Sequence, residues 1–290
     1  MNDLKKHINS VAVNSGISTV GKLDFIVLNL RRYVIDLLPK PFRALLSRYR
    51  ALSSQKRVEK RLKKIRANGK TIVHFLHIGK TAGTAIHHAI KGCSSDDSYH
   101  IELRGHGFLL RDLPIGDKAV FILRDPVSRF VSAFNSTRTE GLPRYYYPLG
   151  PREKAAFKKF PSANLLARSL SSKDIKTKRK AELAMNCIRH VNTSYWDWLL
   201  NQEYLERRFS DILFVGFQET LTSDFEQLKK IIGLNEEIQL PQDPVSAYRA
   251  PKNTEKLDGL AIENIKKWYS SDYECIDFIN EKYISKQSKL

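Results

Sequence analysis

The chain of 290 residues carries a formal net charge of +18 on a composition that is 42% hydrophobic, which excludes a disordered polymer and leaves room for one α/β domain plus an extension. A surplus of that size attracts polyanions, anionic lipid surfaces and phosphorylated or sulfated ligands, without choosing among them. Cys93, Cys187 and Cys275 stand far apart with no CxxC pair, so neither a disulfide framework nor a zinc site is expected and a reducing compartment fits.

Residues 1–70 hold 17 Lys and Arg against 4 Asp and Glu. From Leu23 to about Ser47 apolar residues recur at helical spacing, and Pro39-Lys40-Pro41 predicts a break into two helices. A third helix is predicted over Gln55–Ala67. This extension reads either as a basic helical arm packed on the domain or as a basic amphipathic segment resting on an anionic membrane. No run reaches the ~20 apolar residues of a membrane span: the most apolar stretch, Phe25–Leu30, is interrupted at Asn29 and ends at Arg31-Arg32. Met1–Lys6 is not followed by the apolar core of a signal peptide. A cytoplasmic protein, peripheral at most at the inner membrane face, is the expectation.

Asn68-Gly69-Lys70 predicts a hinge into a buried strand over Thr71–Ile78. Further strands over Ala119–Leu123 and Ile212–Val215 alternate with helical patterns, which predicts a mainly parallel sheet covered by helices. The basic stretch 139–180 reads as mostly loop with short helices, of the kind that shapes a substrate site at the mouth of a sheet.

Strand one runs directly into Gly79-Lys80-Thr81-Ala82-Gly83-Thr84 and a helix over Ala85–Lys91. Small residues let the backbone curl so that several N–H groups and the helix N-terminus face one point, an anion pocket to which Lys80 adds charge and Thr81 and Thr84 add hydroxyls. A Walker A loop needs an earlier glycine where this chain has His74, so the nucleotide-triphosphate loop is absent. The strand over Ala119–Leu123 runs into Arg124-Asp125-Pro126-Val127-Ser128-Arg129-Phe130-Val131-Ser132. Asp125 suits an N-cap and Pro126 a first helical position, which leaves Arg124 at the carboxyl end of a parallel strand, where open α/β sheets bind ligands. Arg124 offers a fork of donors to a phosphate, and Ser132 can complete that site. Read blandly, Arg124-Asp125 is a capping ion pair and Arg129 a solvated surface charge.

These two strand-to-loop segments resemble the two nucleotide motifs of sulfotransferases that use 3′-phosphoadenosine-5′-phosphosulfate (PAPS). Residues 71 to about 280 are similar to the membrane-type carbohydrate sulfotransferases and their heparan 2-O- and 6-O-sulfotransferase relatives. Phe214–Glu219 with the helix Leu221–Ile232, and Tyr269-Ser270-Ser271-Asp272-Tyr273, resemble later pieces of the same family. The resemblance implies a P-loop-like three-layer domain over 71–290 behind the basic helical extension 1–70. It also implies a 5′-phosphosulfate held by Gly79, Lys80, Thr81, Ala82, Gly83 and Thr84, and a 3′-phosphate on Arg124 and Ser132.

An acceptor hydroxyl must lose its proton, and His is the side chain matched to neutral pH. His106, in Gly105-His106-Gly107, stands where the heparan-type relatives have a base histidine; His100 and Glu102 are the runners-up. His77 reads as a core or supporting residue, and His87 and His88 fall in the following helix. Lys80 would stabilise the leaving group. Lys252, in the loop Tyr248–Thr254, would help close over the nucleotide. The implied reaction is an in-line sulfuryl transfer from PAPS, leaving PAP, to a glycan or glycoside hydroxyl, with no metal and no nucleic-acid partner expected. A P-loop kinase and a non-catalytic basic binding protein are the rival readings.

Overall fold

The computed structural model describes residues 40–93, 98–142, 146–243 and 256–287, with positions 30, 34 and 38. The predicted elements before Lys40, and the loop of Arg249, Lys252 and Asn253, lie outside the described residues.

Helix α1 spans Lys40–Ala67 without interruption. The sequence predicted separate elements here, ending near Ser47 and restarting at Gln55. Pro41 sits in the first turn, where its missing N–H has no intrahelical partner to lose, so it starts the helix. The C-terminal half of α1 is fastened to the sheet: Leu62 is fully buried, Arg66 forks onto Asp117 and reaches Glu59 at 2.6 Å, and Arg61 pairs with Glu102.

Four parallel strands follow: β1 (Thr71–Phe75), β2 (Tyr99–Leu103), β3 (Lys118–Leu123) and β4 (Ile212–Phe217), in the spatial order β2-β1-β3-β4. Strand β2 has no counterpart in the sequence reading. It is an edge strand with a single buried residue, and its polar, half-exposed composition gives no strand period to read. The predicted first strand ends three residues early, although Leu76 still donates to Val120 O at 2.9 Å.

Alternation along the strands sorts two cores. Ala119, Phe121 and Leu123 face a cluster with Trp198, Leu199, Leu205, Phe278 and Ile279, which belong to α7 (Trp196–Leu199), α8 (Gln202–Arg207) and α11 (Ser270–Gln287). Val120 and Ile122 face Ile86 and Ile90 of α2 (Gly83–Ile90) and Phe225, Leu228 and Ile232 of α9 (Leu221–Ile232). Helices on both sheet faces make the three layers that the sequence implied.

A third cluster lies mainly among helices and joins α3 (Pro126–Arg138), α4 (Pro151–Lys159), α5 (Ala163–Ser169), α6 (Ile175–Cys187) and α10 (Gly259–Trp268). Its middle members are the short helices expected in the stretch 139–180, and they occupy more of it than the mostly loop reading allows. Their starts are well capped: Pro151 opens α4 with Glu153 reaching back to Gly150 N at 3.0 Å, Ser162 caps α5 and Asp174 caps α6. Dense Lys and Ser on their solvated faces hid the helical period.

Candidate active site

A cleft of about 840 Å³ opens where all four strands end at their carboxyl edge. Its lining comes from His77, Lys80 and Ala82 to Ala85 after β1, His106 after β2, Arg124 after β3, and Gln218 to Ser223 after β4, with Ser132, His190 and Leu240 to Gln242 completing it. Parallel strands deliver their following loops to one side, so residues far apart in sequence converge there.

The loop after β1 is an anion cradle. Lys80 and Ala82 both hold left-handed backbone, at φ 68° and 66°; alternation of this kind turns successive N–H groups toward one point. Ala82 caps α2 with no side-chain bond; Ala85 N turns back onto Ala82 O at 2.9 Å, and no capping side chain covers the N–H groups of Gly83 and Thr84 at the helix start. Gly79 and Gly83 are dictated by close approach. A methyl at Gly79 would lie 2.9 Å from His190 Nδ1, and one at Gly83 would lie 2.6 Å from His77 Cδ2. Lys80, Ala82, Gly83 and Thr84 line the cleft. Thr81 is placed differently from the expectation: it is 1% exposed, and its hydroxyl donates to Ile78 O at 3.0 Å. It locks the loop from within.

The second motif meets the first directly. Arg124 Nη1 donates to the carbonyl of Lys80 at 3.4 Å, and its Nε to Ser128 Oγ at 3.0 Å. The Tyr195 hydroxyl brackets the same residue, accepting from Arg124 N at 3.1 Å and donating to Arg124 O. Asp125 caps α3 through Ser128 N at 2.8 Å with Pro126 following. Glu219 accepts from Asp125 N at 3.0 Å and lies close enough to oppose the lowering of the Arg124 pKa by burial. Ser132, two turns into α3, faces the cleft.

Arg129, which the sequence allowed as a surface charge, is buried. It donates to Asp272 Oδ2 and to Thr193 O, each at 2.6 Å, and its guanidinium lies over the rings of Tyr195 and Tyr269 at 4.7 and 5.3 Å. Asp272 also accepts from Ser194 Oγ and from Tyr195 N at 3.0 Å. Arg129 and the Tyr269–Tyr273 segment, two sequence motifs 143 residues apart, are thus halves of one buried unit behind Arg124.

His106 stands at the end of β2, its ring 4.0 Å from that of His77 and 5.5 Å from that of His190. Its Nδ1 pairs with His77 O at 2.8 Å, and Trp198 Nε1 donates to His106 O at 3.1 Å. A neutral imidazole bonded this way carries its proton on Nδ1 and leaves Nε2 as a base. The residue stays exposed at the cleft, yet the packing around its ring desolvates it, and this, with help from the Lys80 charge and against the His77 bond, lowers the His106 pKa below 6.5. The runners-up lie elsewhere: His100 and Glu102 are in β2, where Glu102 pairs with Arg61, and neither lines the cleft. His77, read as a supporting residue, lines the cleft and orients His106 through its carbonyl. His190 and Trp198 were not foreseen, because their segment carries no motif and no period. Among the described residues no group of three or more His, Cys, Asp or Glu is placed to hold a metal ion.

The sequence model of the sulfotransferase family matches residues 63–278, from within α1 to within α11. Comparison with curated proteins gives no match.

Proposed function

The chain belongs to the sulfotransferase family, a family of sulfuryl transferases, and from that premise we propose that it transfers the sulfuryl group of PAPS to a carbohydrate or glycolipid hydroxyl, with His106 as general base. The observation that carries this reading is the 3.4 Å contact between the Arg124 guanidinium and the Lys80 carbonyl. It brings the Arg124 fork beside the turn that carries Lys80, so that both border one cleft, as binding of a single nucleotide phosphorylated at both ends of its ribose needs.

The residues present fit such a ligand. The cradle of Lys80, Ala82, Gly83 and Thr84 suits the 5′-phosphosulfate, with Gly79 and Thr81 shaping it, and Arg124 and Ser132 suit the 3′-phosphate. A cleft of about 840 Å³ is in the range of ordinary ligand sites. PAPS, when bound, supplies an activated sulfuryl group on a phosphate leaving group. The acceptor oxygen enters opposite the departing phosphate oxygen, forming one O–S bond as the other breaks, and its proton passes to Nε2 of His106. Lys80 and the loop amides then oppose the charge that develops on the departing oxygen.

Titration calorimetry with PAP and ADP tests the nucleotide assignment: PAP is expected to bind at least tenfold more tightly, and equal affinities would refute it. A labelled-sulfate screen of glycans and glycosides then identifies the acceptor.

For the extension, we propose peripheral contact with anionic membrane at the inner face. Phe42, Leu45, Leu46 and Tyr49 are exposed on α1 and share one face by their spacing, in a segment where Lys and Arg far outnumber acidic residues. The full chain is expected to co-sediment with phosphatidylglycerol vesicles but not with phosphatidylcholine ones; equal recovery with both would remove the idea.

A further inference from the structure

Resting on the reading above, we propose that His190 is a second imidazole of the transfer centre, donating a hydrogen bond to the oxygens of the sulfuryl group. Nothing in the sequence marks this residue; its place in the fold does.

The chain between α6 and α7 is fixed on both sides of His190. Tyr269 Oη donates to Val191 O at 2.5 Å, the buried Arg129 donates to Thr193 O at 2.6 Å, and Thr193 Oγ1 donates back to His190 O at 2.9 Å. Val191 itself is fully buried. Held this way, His190 adopts φ 65°, a left-handed backbone that is strained for a residue with a side chain and that clusters at functional sites. The result is a ring that lines the cleft. It sits so close to the first residue of the cradle that only glycine fits at position 79, and 5.5 Å from the ring of His106. His190 therefore lies beside both the Gly79 turn, which opens the cradle, and the proton acceptor His106.

Its protonation state suits a donor. Burial, together with the neighbouring His106, Lys80, Arg189 and Arg129, drives its pKa well below 6.5, so the ring stays neutral and keeps one N–H and one lone pair. A neutral donor beside developing negative charge, already fixed before the reaction, stabilises it without reorganisation.

The test needs no acceptor, because PAPS and PAP differ only by the sulfuryl group. Calorimetry on the full chain compares the parent with His190→Ala and His190→Asn. Loss of one hydrogen bond to a charged group predicts PAPS affinity about tenfold or more weaker in His190→Ala, PAP affinity unchanged within about twofold, and partial recovery in His190→Asn, whose amide restores a donor. Equal weakening for PAPS and PAP would assign His190 a packing role on the Gly79 turn, and no weakening of either would remove it from the centre; both overturn the proposal. A parent that binds neither nucleotide would instead refute the assignment of the cleft. Should His190→Ala fail to fold, ring resonances of labelled histidine in the parent decide. The His190 signals are expected to move with PAPS and not with PAP, and identical shifts with both would overturn the proposal.

Discussion

Asp272→Asn offers the most direct test of how the site is supported. The substitution keeps the shape and removes the charge facing Arg129, whose side chain is 1% exposed against 0% for Asp272. The carboxylate accepts from three directions, Arg129, Ser194 and Tyr195 N. An amide has one oxygen, so whichever way it turns, an N–H of Asn faces a donor. Breaking a buried pair by removing one partner costs about 3–5 kcal/mol, which for a chain of this size lowers Tm on the order of 10 °C. PAP affinity should fall as well, because Tyr195, held through its N–H by Asp272, brackets Arg124 through its hydroxyl. Burial pushes the Asp272 carboxyl pKa upward against the pull of Arg129, whereas for Arg129 the lowering by burial is outweighed by Tyr195, Asp272 and Tyr269. Removing both charges leaves no buried ion without its partner, so the double variant Arg129→Met/Asp272→Leu should regain much of the lost Tm. Scanning calorimetry reads both. An Asp272→Asn protein within about 1 kcal/mol of the parent would show that the pair supports nothing.

Three further outcomes are expected. Gly83→Ala puts a methyl 2.6 Å from His77 Cδ2, and the His77 ring, between His87 and His106 at 4.6 and 4.0 Å, cannot yield without moving the base; turnover should drop about 10²-fold, and a value within threefold of the parent would show that the rings give way freely. Arg124→Ala should abolish the preference for PAP over AMP in calorimetry, and an unchanged preference would place the 3′-phosphate elsewhere. His106 should titrate below 6.5, because its desolvated imidazolium is also repelled by Lys80. Lys80→Met should move the NMR midpoint of His106 upward, and a downward or null shift would mean that Lys80 does not act on it.

Much of this site was legible where one local rule decides the structure. Asp125 before Pro126 announces a helix start, and a buried strand ending in small residues announces an anion turn, so Lys80, Gly83 and Arg124 could be placed from spacing. What escaped depends on partners distant in the chain. Arg129 looks like any surface arginine until α11 brings Asp272 against it. His190 is directed into the cleft by Tyr269 and Arg129, neither of them nearby in sequence. Strand β2 is defined by lying beside β1 rather than by its own composition, and its end is what carries His106 to the cleft. Thr81 shows the converse: a hydroxyl in the right loop, yet spent on Ile78.

The turn after β1 has one more consequence. Lys80 and Ala82 occupy backbone shapes that glycine would adopt freely, and a glycine at either place would let the turn wander between visits of a ligand. With side chains there, fewer alternative backbone shapes are open to the turn than glycine would allow. Arrival of an anion should then be a one-step encounter, its observed rate rising linearly with concentration and showing no plateau from a slow rearrangement.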